Sequence, residues 1–365
     1  LAWTQDPDAS VRREAYRALA LQATPDMLSE SVNLVLSAAN QEERYLAMQV
    51  FAEVAAQTED KGVLSAAIVA RLPEAGAGEI RGALLRLLAQ VGDAAALDAL
   101  RAELLEAQGT AYTETLRALA ACNVPAAAED LIRAAERAEN DTDRSLAVNG
   151  YFRILRAHAD AMPEGLGAAL ARGLAASISV ADRRKALSAM AQVGGLDTLS
   201  LLRPLLADTA LGEEARAAAQ RLIRRHVTVT ASCNAQDAAH AVDGSVNTPW
   251  MCDAWTEEGA WIALAFTEPV RVQRLVVDTS PVPNRAPASC SVYVSEDGTA
   301  WGEALLEEQA GAPLMTLELG GRALRRVKIV VPSKNNEVHW SIHEIHFMDA
   351  DSGAFFIEGV GGSGP

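Results

Sequence analysis

The segment Asp243-Gly244-Ser245-Val246-Asn247-Thr248 gathers hard oxygen donors into one short turn of this 365-residue chain. Gly244 permits the turn, Asp243, Ser245 and Thr248 offer side-chain oxygens, and the loop backbone adds carbonyls. A hard cation such as Ca²⁺ takes about six to eight oxygens, and this inventory could supply several of them. The competing reading is an Asx-type turn, in which Asp243 bonds its own backbone and no ion is needed.

A second group of residues could hold a sugar. Trp255 stands in the polar stretch Cys252-Asp253-Ala254-Trp255-Thr256-Glu257-Glu258-Gly259, where a ring can stack on the apolar face of a pyranose or project into a protein partner. Asn284 and Arg285 lie in a proline-punctuated loop. Asn335, Asn336, His339 and Trp340 precede the last strong apolar run. Neutral sugars are held by aromatic stacking and a few convergent polar groups, and these loops contain both.

Covalent chemistry finds little support. The helical part lacks a GxGxxG loop, a phosphate loop, an HExxH helix and a GxSxG elbow. His158 and His226 each stand at a helix end, where exposure, local capping or complementation of the helix dipole accounts for them. No catalytic residue is assigned, and a non-enzyme is expected.

Charge narrows the partners. The formal net charge is -16. Up to His226 there are 24 Lys+Arg against 30 Asp+Glu, and beyond it 8 against 18. Nucleic-acid binding needs a basic surface, and none is visible, so a nucleic-acid partner is excluded. An anionic membrane surface is disfavoured by the same arithmetic, and no stretch approaches the roughly 20 apolar residues of a membrane span. The chain opens Leu1-Ala2-Trp3-Thr4-Gln5, which suggests a mature or excised piece of a longer protein.

Four cysteines, Cys122, Cys233, Cys252 and Cys290, show neither a CxxC pair nor metal-finger spacing. Cys122 reads as a buried free thiol. Of the other three at most two can pair, and Cys252 with Cys290 is the preferred pairing, since both stand near the starts of strands expected at one end of the β region.

These residues must be positioned by two unlike regions. From Asp6 to about Arg225 the sequence is rich in Ala, Leu, Glu and Arg, strong helix formers. A motif recurs within it. If Ala15, Ala47, Ala83, Thr115, Ala147, Ala186 and Ala218 are equivalent, the spacing is about one helix pair per repeat, giving six pairs and a terminal seventh helix. A small residue there lets neighbouring helices approach closely. The motif, an acidic residue before a hydrophobic-Arg pair followed by Ala and Leu, resembles the short bacterial HEAT-repeat family. That resemblance implies a curved α-solenoid that binds a protein partner.

At Val227 the usage turns abruptly to Val, Ile, Thr, Ser and Trp. Strands are expected at 260–266, 270–277, 291–295, 314–319, 324–331 and 342–347, a β-sandwich or jelly-roll pattern. The order Ala241-Val242-Asp243-Gly244, Ala260-Trp261-Ile262, Val292-Tyr293-Val294-Ser295, Arg325-Arg326-Val327-Lys328-Ile329 and Trp340-Ser341-Ile342-His343-Glu344 resembles the discoidin, or coagulation factor type C, family. Galactose-binding-like carbohydrate-binding modules share its framework. The expected fold is therefore multidomain α plus all-β: a HEAT-like solenoid over 1–226, a discoidin-like sandwich over 227–350, and a linker or flexible tail over 351–365.

The resemblance implies a structural Ca²⁺ held by the carbonyls of His240 and His343, the carboxylates of Asp243 and Glu344, and the oxygens of Thr248 and Ser245. Relatives often carry Asn or Asp where this chain has Ser245. Trp250, Trp261 and Trp301 fall on framework positions and are expected in the core. Asp243 and Glu344 could also suggest a glycosidase pair, which would need both to face a sugar cleft about 5 to 9 Å apart; partnership around one loop cation explains them better.

Three functions are thus weighed. The leading one is recognition of a carbohydrate or cell-surface glycan by the sandwich, with the solenoid as protein-binding scaffold, in an extracytoplasmic setting. The others are a purely structural or assembly module and an accessory fragment of a larger extracytoplasmic enzyme.

Overall fold

The computed structural model describes residues 1–76, 78–162, 165–253, 255–334, 339–348 and 358–359. Compact packing divides the chain into two units, residues 1–162 with 172–182, and residues 163–171 with 183–365. The region expected to be helical contains α1 (Ala9–Leu21), α2 (Leu28–Ser37), α3 (Gln41–Ala56), α4 (Lys61–Val69), α5 (Glu79–Val91), α6 (Ala94–Glu106), α7 (Gly109–Ala121), α8 (Ala127–Arg137), α9 (Asp141–Ala157), α10 (Leu166–Ala176), α11 (Val180–Val193), α12 (Leu199–Leu202) and α13 (Gly212–His226).

In the first unit, local chemistry starts the helices. Asp8, Asn40, Asp60, Asp93 and Asn140 are N-caps whose side chains accept from backbone N–H groups of the first turn, satisfying donors that have no intrahelical partner. Gly92 ends α5 in the left-handed conformation, φ 59°, where a side chain would be strained. Amphipathic spacing then decides which face is buried. On α8 the buried residues are Ala127, Ala128, Leu131, Ile132, Ala134 and Ala135, one stripe at a helical period.

The proposed equivalent positions fall on alternate helices. Ala47, Ala83, Thr115 and Ala147, on α3, α5, α7 and α9, are all buried. Polar contacts repeat with a similar stride: Arg12 to Glu43 (2.8 Å), Arg44 to Glu79 (2.9 Å), Thr113 to Asp143 (2.8 Å) and Ser145 to Asp182 (2.6 Å) each join one alternate helix to the next. Close approach is seen at Gly150 on α9, where a Cβ would lie 2.7 Å from that of Ala120 on α7.

The second unit contains the β region, together with α12 and α13. Helix α13 runs directly into β1 (Val227–Ala231). The other strands are β2 (Trp250–Met251), β3 (Trp261–Arg271), β4 (Arg274–Asp278), β5 (Ser289–Ser295), β6 (Leu306–Ala310), β7 (Leu314–Glu318), β8 (Ala323–Val330), β9 (Ser341–Ile342), β10 (Glu344–Met348) and β11 (Glu358–Gly359). All pairings are antiparallel. The larger sheet has the order β1-β3-β8-β5-β6, with β11 also on β3; a second has β10-β4-β7; β2 and β9 form a two-residue pair.

Alternation along the strands supplies the core. Ile262, Leu264 and Phe266 of β3, Val327 and Ile329 of β8, and Val292 of β5 are buried, as are Leu275 and Val277 of β4, Leu317 of β7, and Ile345 and Phe347 of β10. The Phe266 and Phe347 rings meet edge to face at 5.8 Å. The boundary between two expected strands moves, since β3 runs on to Arg271 and β4 begins only at Arg274. Strand β6, Leu-Glu-Glu-Gln-Ala at a sheet edge, has no apolar alternation to announce it. The expected tail over 351–365 lies outside the described residues apart from 358–359.

The expected Cys252–Cys290 pairing is corrected. Cys233 is disulfide-bonded to Cys252, while Cys290 is buried with its thiol 3.4 Å from the Met315 sulfur. Cys290 points inward from β5, whereas Cys252 follows β2 and is brought to the chain just after β1. Asn234, next to Cys233, donates to the Met251 carbonyl at 3.0 Å.

Candidate functional site

The β2–β9 pair is the anchor of the loop region. Trp250 and Trp340 flank it, both 0 % exposed, with rings edge to face at 5.1 Å. The Trp250 indole N–H is shared between the carbonyls of Cys233 and Asn234, each at 3.2 Å. Trp340 is therefore core and offers no face to a ligand, contrary to its place among the candidate contacts. Its main-chain groups do the positioning: its N–H donates to the Thr256 hydroxyl (3.1 Å) and its carbonyl accepts from Cys252 (3.0 Å).

Beside this pair lies the aromatic and polar cluster. Trp255 is 50 % exposed, and its ring centroid lies 4.7 Å from that of His339. His339 is held by Nδ1, which donates to the Cys252 carbonyl at 3.0 Å. Arg285 reaches the Met251 sulfur at 2.9 Å, which brings the 283–285 turn to the same strand, and Asn284 beside it is exposed. A small cavity of about 70 Å³ is lined by Thr256, Arg285, Pro287, Val331, Ser333 and Lys334. Lys334 pairs with both oxygens of Glu257 at 3.0 Å. Asn335 and Asn336 lie outside the described residues. Three of the expected loops thus meet at β2 and β9, and Thr256 joins them without having been singled out from the sequence.

The oxygen-rich turn lies where β10 begins. Gly244, at φ 79°, donates its N–H to the Glu344 carboxylate at 2.7 Å. Asp243 accepts from the Ser245 N–H (2.8 Å) and the Thr248 hydroxyl (2.5 Å). The His240 carbonyl accepts from the Asp243 N–H at 3.4 Å. His343 is buried, and its Nδ1 donates to the Val246 carbonyl at 2.7 Å. All six expected ligand residues therefore gather at one turn, and the Asx-type bonding expected of the ion-free alternative is present as well.

Glu344 carries the electrostatic signature of this turn. Burial pushes its carboxyl up to about 7, the Gly244 N–H opposes that shift, and the charge of Asp243 adds to it. The buried Glu344 carboxyl and the half-buried Asp243 carboxyl, with hydroxyls and carbonyls as neighbours, form a hard-oxygen donor set that a divalent cation suits. Among the described residues no group of three or more His, Cys, Asp or Glu side chains could hold a metal, so such an ion would depend on hydroxyls and carbonyls beyond the two carboxylates. Arg224 of α13 also reaches this turn: a Cβ on Gly244 would lie 3.2 Å from its guanidinium, and its charge favours ionised Glu344. Arg224 stands 20 residues before Gly244 and on a helix, so no local pattern announces its place at this turn.

A two-sheet antiparallel β unit with its loops gathered beside one short strand pair defines the class of module. Residues 227–345 match the F5/8 type C domain family. The chain is similar to the solved structure of CpGH89CBM32-6 produced by Clostridium perfringens, at 20 % identity, covering 34 % of this chain and 94 % of that one, with a TM-score of 0.28. It is similar also to the family 32 CBM from C. perfringens NanJ in complex with galactose (15 % identity, 34 % and 95 % covered, TM-score 0.28). A third is the lectin domain of Lectinolysin complexed with Lewis B antigen (18 %, 35 % and 96 %, TM-score 0.30). No curated protein matches the chain. Among the described residues no helix is long and apolar enough to cross a membrane.

Proposed function

We propose that the β unit is a non-catalytic glycan-binding module that takes a sugar at the loops around Trp255. The observation that carries this reading is the half-exposed Trp255 ring, braced against His339 and sharing its strand pair with Arg285. A rigid ring beside a guanidinium and amide groups is the inventory by which a pyranose is stacked and oriented. The match of 227–345 to the F5/8 type C domain family supports it.

The same reading assigns Ca²⁺ to the neighbouring turn, held by the carboxylates of Asp243 and Glu344, the oxygens of Ser245 and Thr248, and the carbonyls of His240 and His343. When bound, the ion supplies a fixed positive charge that offsets the two carboxylates and ties the turn to β10. It performs no reaction. The Cys233–Cys252 disulfide supports an extracytoplasmic setting, where such bonds persist. The repeated contacts between alternate helices support a HEAT-like scaffold that presents the module while binding a protein partner.

A glycan array probed with the full chain, in Ca²⁺ and in chelator, tests the assignment. Saturable binding to a defined glycan class in Ca²⁺ is expected, and no binding to any glycan would refute it. A thermal melt that does not move on metal removal would count against the ion.

A further inference from the structure

We propose that the outer face of the larger sheet is a second saccharide surface, distinct from the loop end, that takes an acidic sugar around Lys328. On adjacent strands, Tyr293 of β5 pairs directly with Lys328 of β8, which pairs with Ala263 of β3, which pairs with Thr230 of β1. The residues that alternate with these point into the core. Trp261, expected to be core, stands instead on this face and is half-buried, as is Trp301 from the β5–β6 connection. The Lys328 ammonium lies 5.0 Å from the Trp301 ring centroid, 5.6 Å from that of Tyr293 and 5.9 Å from that of Trp261.

The row therefore presents a hydroxyl, a small floor, a cation and aromatic rings. Tyr293 and Trp261 stand on the strands either side of β8, each about 4.8 Å from it, and with Trp301 they offer stacking to the C–H faces of a short oligosaccharide. The ammonium is anchored among them by cation–π attraction, which leaves its charge for a sugar carboxylate. Arg326, exposed two residues earlier on β8, extends the positive strip. Among the described residues neither Lys328 nor Arg326 forms an ion pair with a carboxylate, although the sequence beyond His226 holds 18 acidic residues against 8 basic ones. A cationic, aromatic strip in so acidic a region is complementary to a small anion with apolar faces. A long polyanion such as nucleic acid would meet the repulsion of the surrounding charge.

Titration calorimetry of the full chain with trigalacturonate and with its fully methyl-esterified form tests this. The acid form is expected to bind, and the neutral ester at least tenfold more weakly. Lys328→Met and Trp301→Ala are each expected to weaken binding at least tenfold, Lys328→Arg to retain it, and Trp255→Ala to leave it unchanged, so failure here is separable from failure at the loop site. No saturable heat with trigalacturonate, equal affinity for the ester, equal affinity in Lys328→Met, or loss of binding in Trp255→Ala would each overturn the proposal. A single-stranded oligonucleotide bound more tightly than the sugar would do the same.

Discussion

Glu43 shows how single side chains tie the helical region together. It is buried on α3, accepts from Arg12 of α1 at 2.8 Å, and is bonded also by its own N-cap, Asn40. The Arg12 guanidinium, foremost, holds its carboxyl below the ordinary value of 4.5, while burial acts the other way. A carboxyl whose folded pKa is depressed contributes stability that is present above about pH 4.5 and is lost as pH falls through the lower, folded value. Melting temperatures measured from pH 7 to pH 3 should therefore fall further for the wild type than for Glu43→Gln, whose curve starts lower and is flatter. Parallel curves would refute this. Charged residues of this kind were visible in the sequence as part of the repeated motif, but their partners were not, because the contacts span about 30 residues.

The elements obey the same division. The helical region was legible from its composition and repeat, while its individual starts are set within one turn by caps such as Asp8 and Asp93; the strand run 324–331 was legible from its alternation. Where the sequence misled, packing decided. Trp261 sits at a framework position, yet the pleat of β3 turns it outward, and Trp301 stands in the β5–β6 connection with its ring against Lys328; Trp340 adjoins a polar loop, yet its ring fills the core against Trp250. The cysteine pairing depended on which strand ends meet, a matter no local pattern carries.

Close packing between elements makes a counterintuitive prediction at Gly150. Gly to Ala in a helix interior is ordinarily favourable by about 1 kcal/mol, but here the added Cβ would lie 2.7 Å from the Ala120 Cβ and 2.8 Å from its Cα. Overpacking costs about 1–3 kcal/mol, so Gly150→Ala should lower the urea midpoint, and a rise would refute the close approach of α7 and α9. In the β unit, the Cys233–Cys252 bond spans 19 residues, and a loop of this size stabilises by about 3 kcal/mol. Reductant should lower the unfolding midpoint of the wild type and leave that of a Cys233→Ser, Cys252→Ser chain where it is; equal midpoints in all conditions would count against the bond.

At the scale of the whole molecule, the change of composition at Val227 coincides with the passage from α13 to β1, and the F5/8 type C domain match begins at the same residue. The compact unit containing that domain also includes α13, whose Arg224 stands beside the Gly244 turn. A shortened chain beginning at 227 should therefore melt at a lower temperature than one beginning at 183, as circular dichroism would show; equal melting would mean that α13 contributes nothing to the β unit. The loops gather through the β2–β9 pair, a two-residue element too short for periodicity to reveal.

The central claim is that Trp255 and its neighbours hold a sugar. Titration of a glycan selected from the array, in Ca²⁺, into the full chain and into Trp255→Ala measures it directly. The account predicts at least tenfold weaker binding in the variant, about 1.4 kcal/mol, with an unchanged melting temperature. Equal affinity in the two proteins would contradict it.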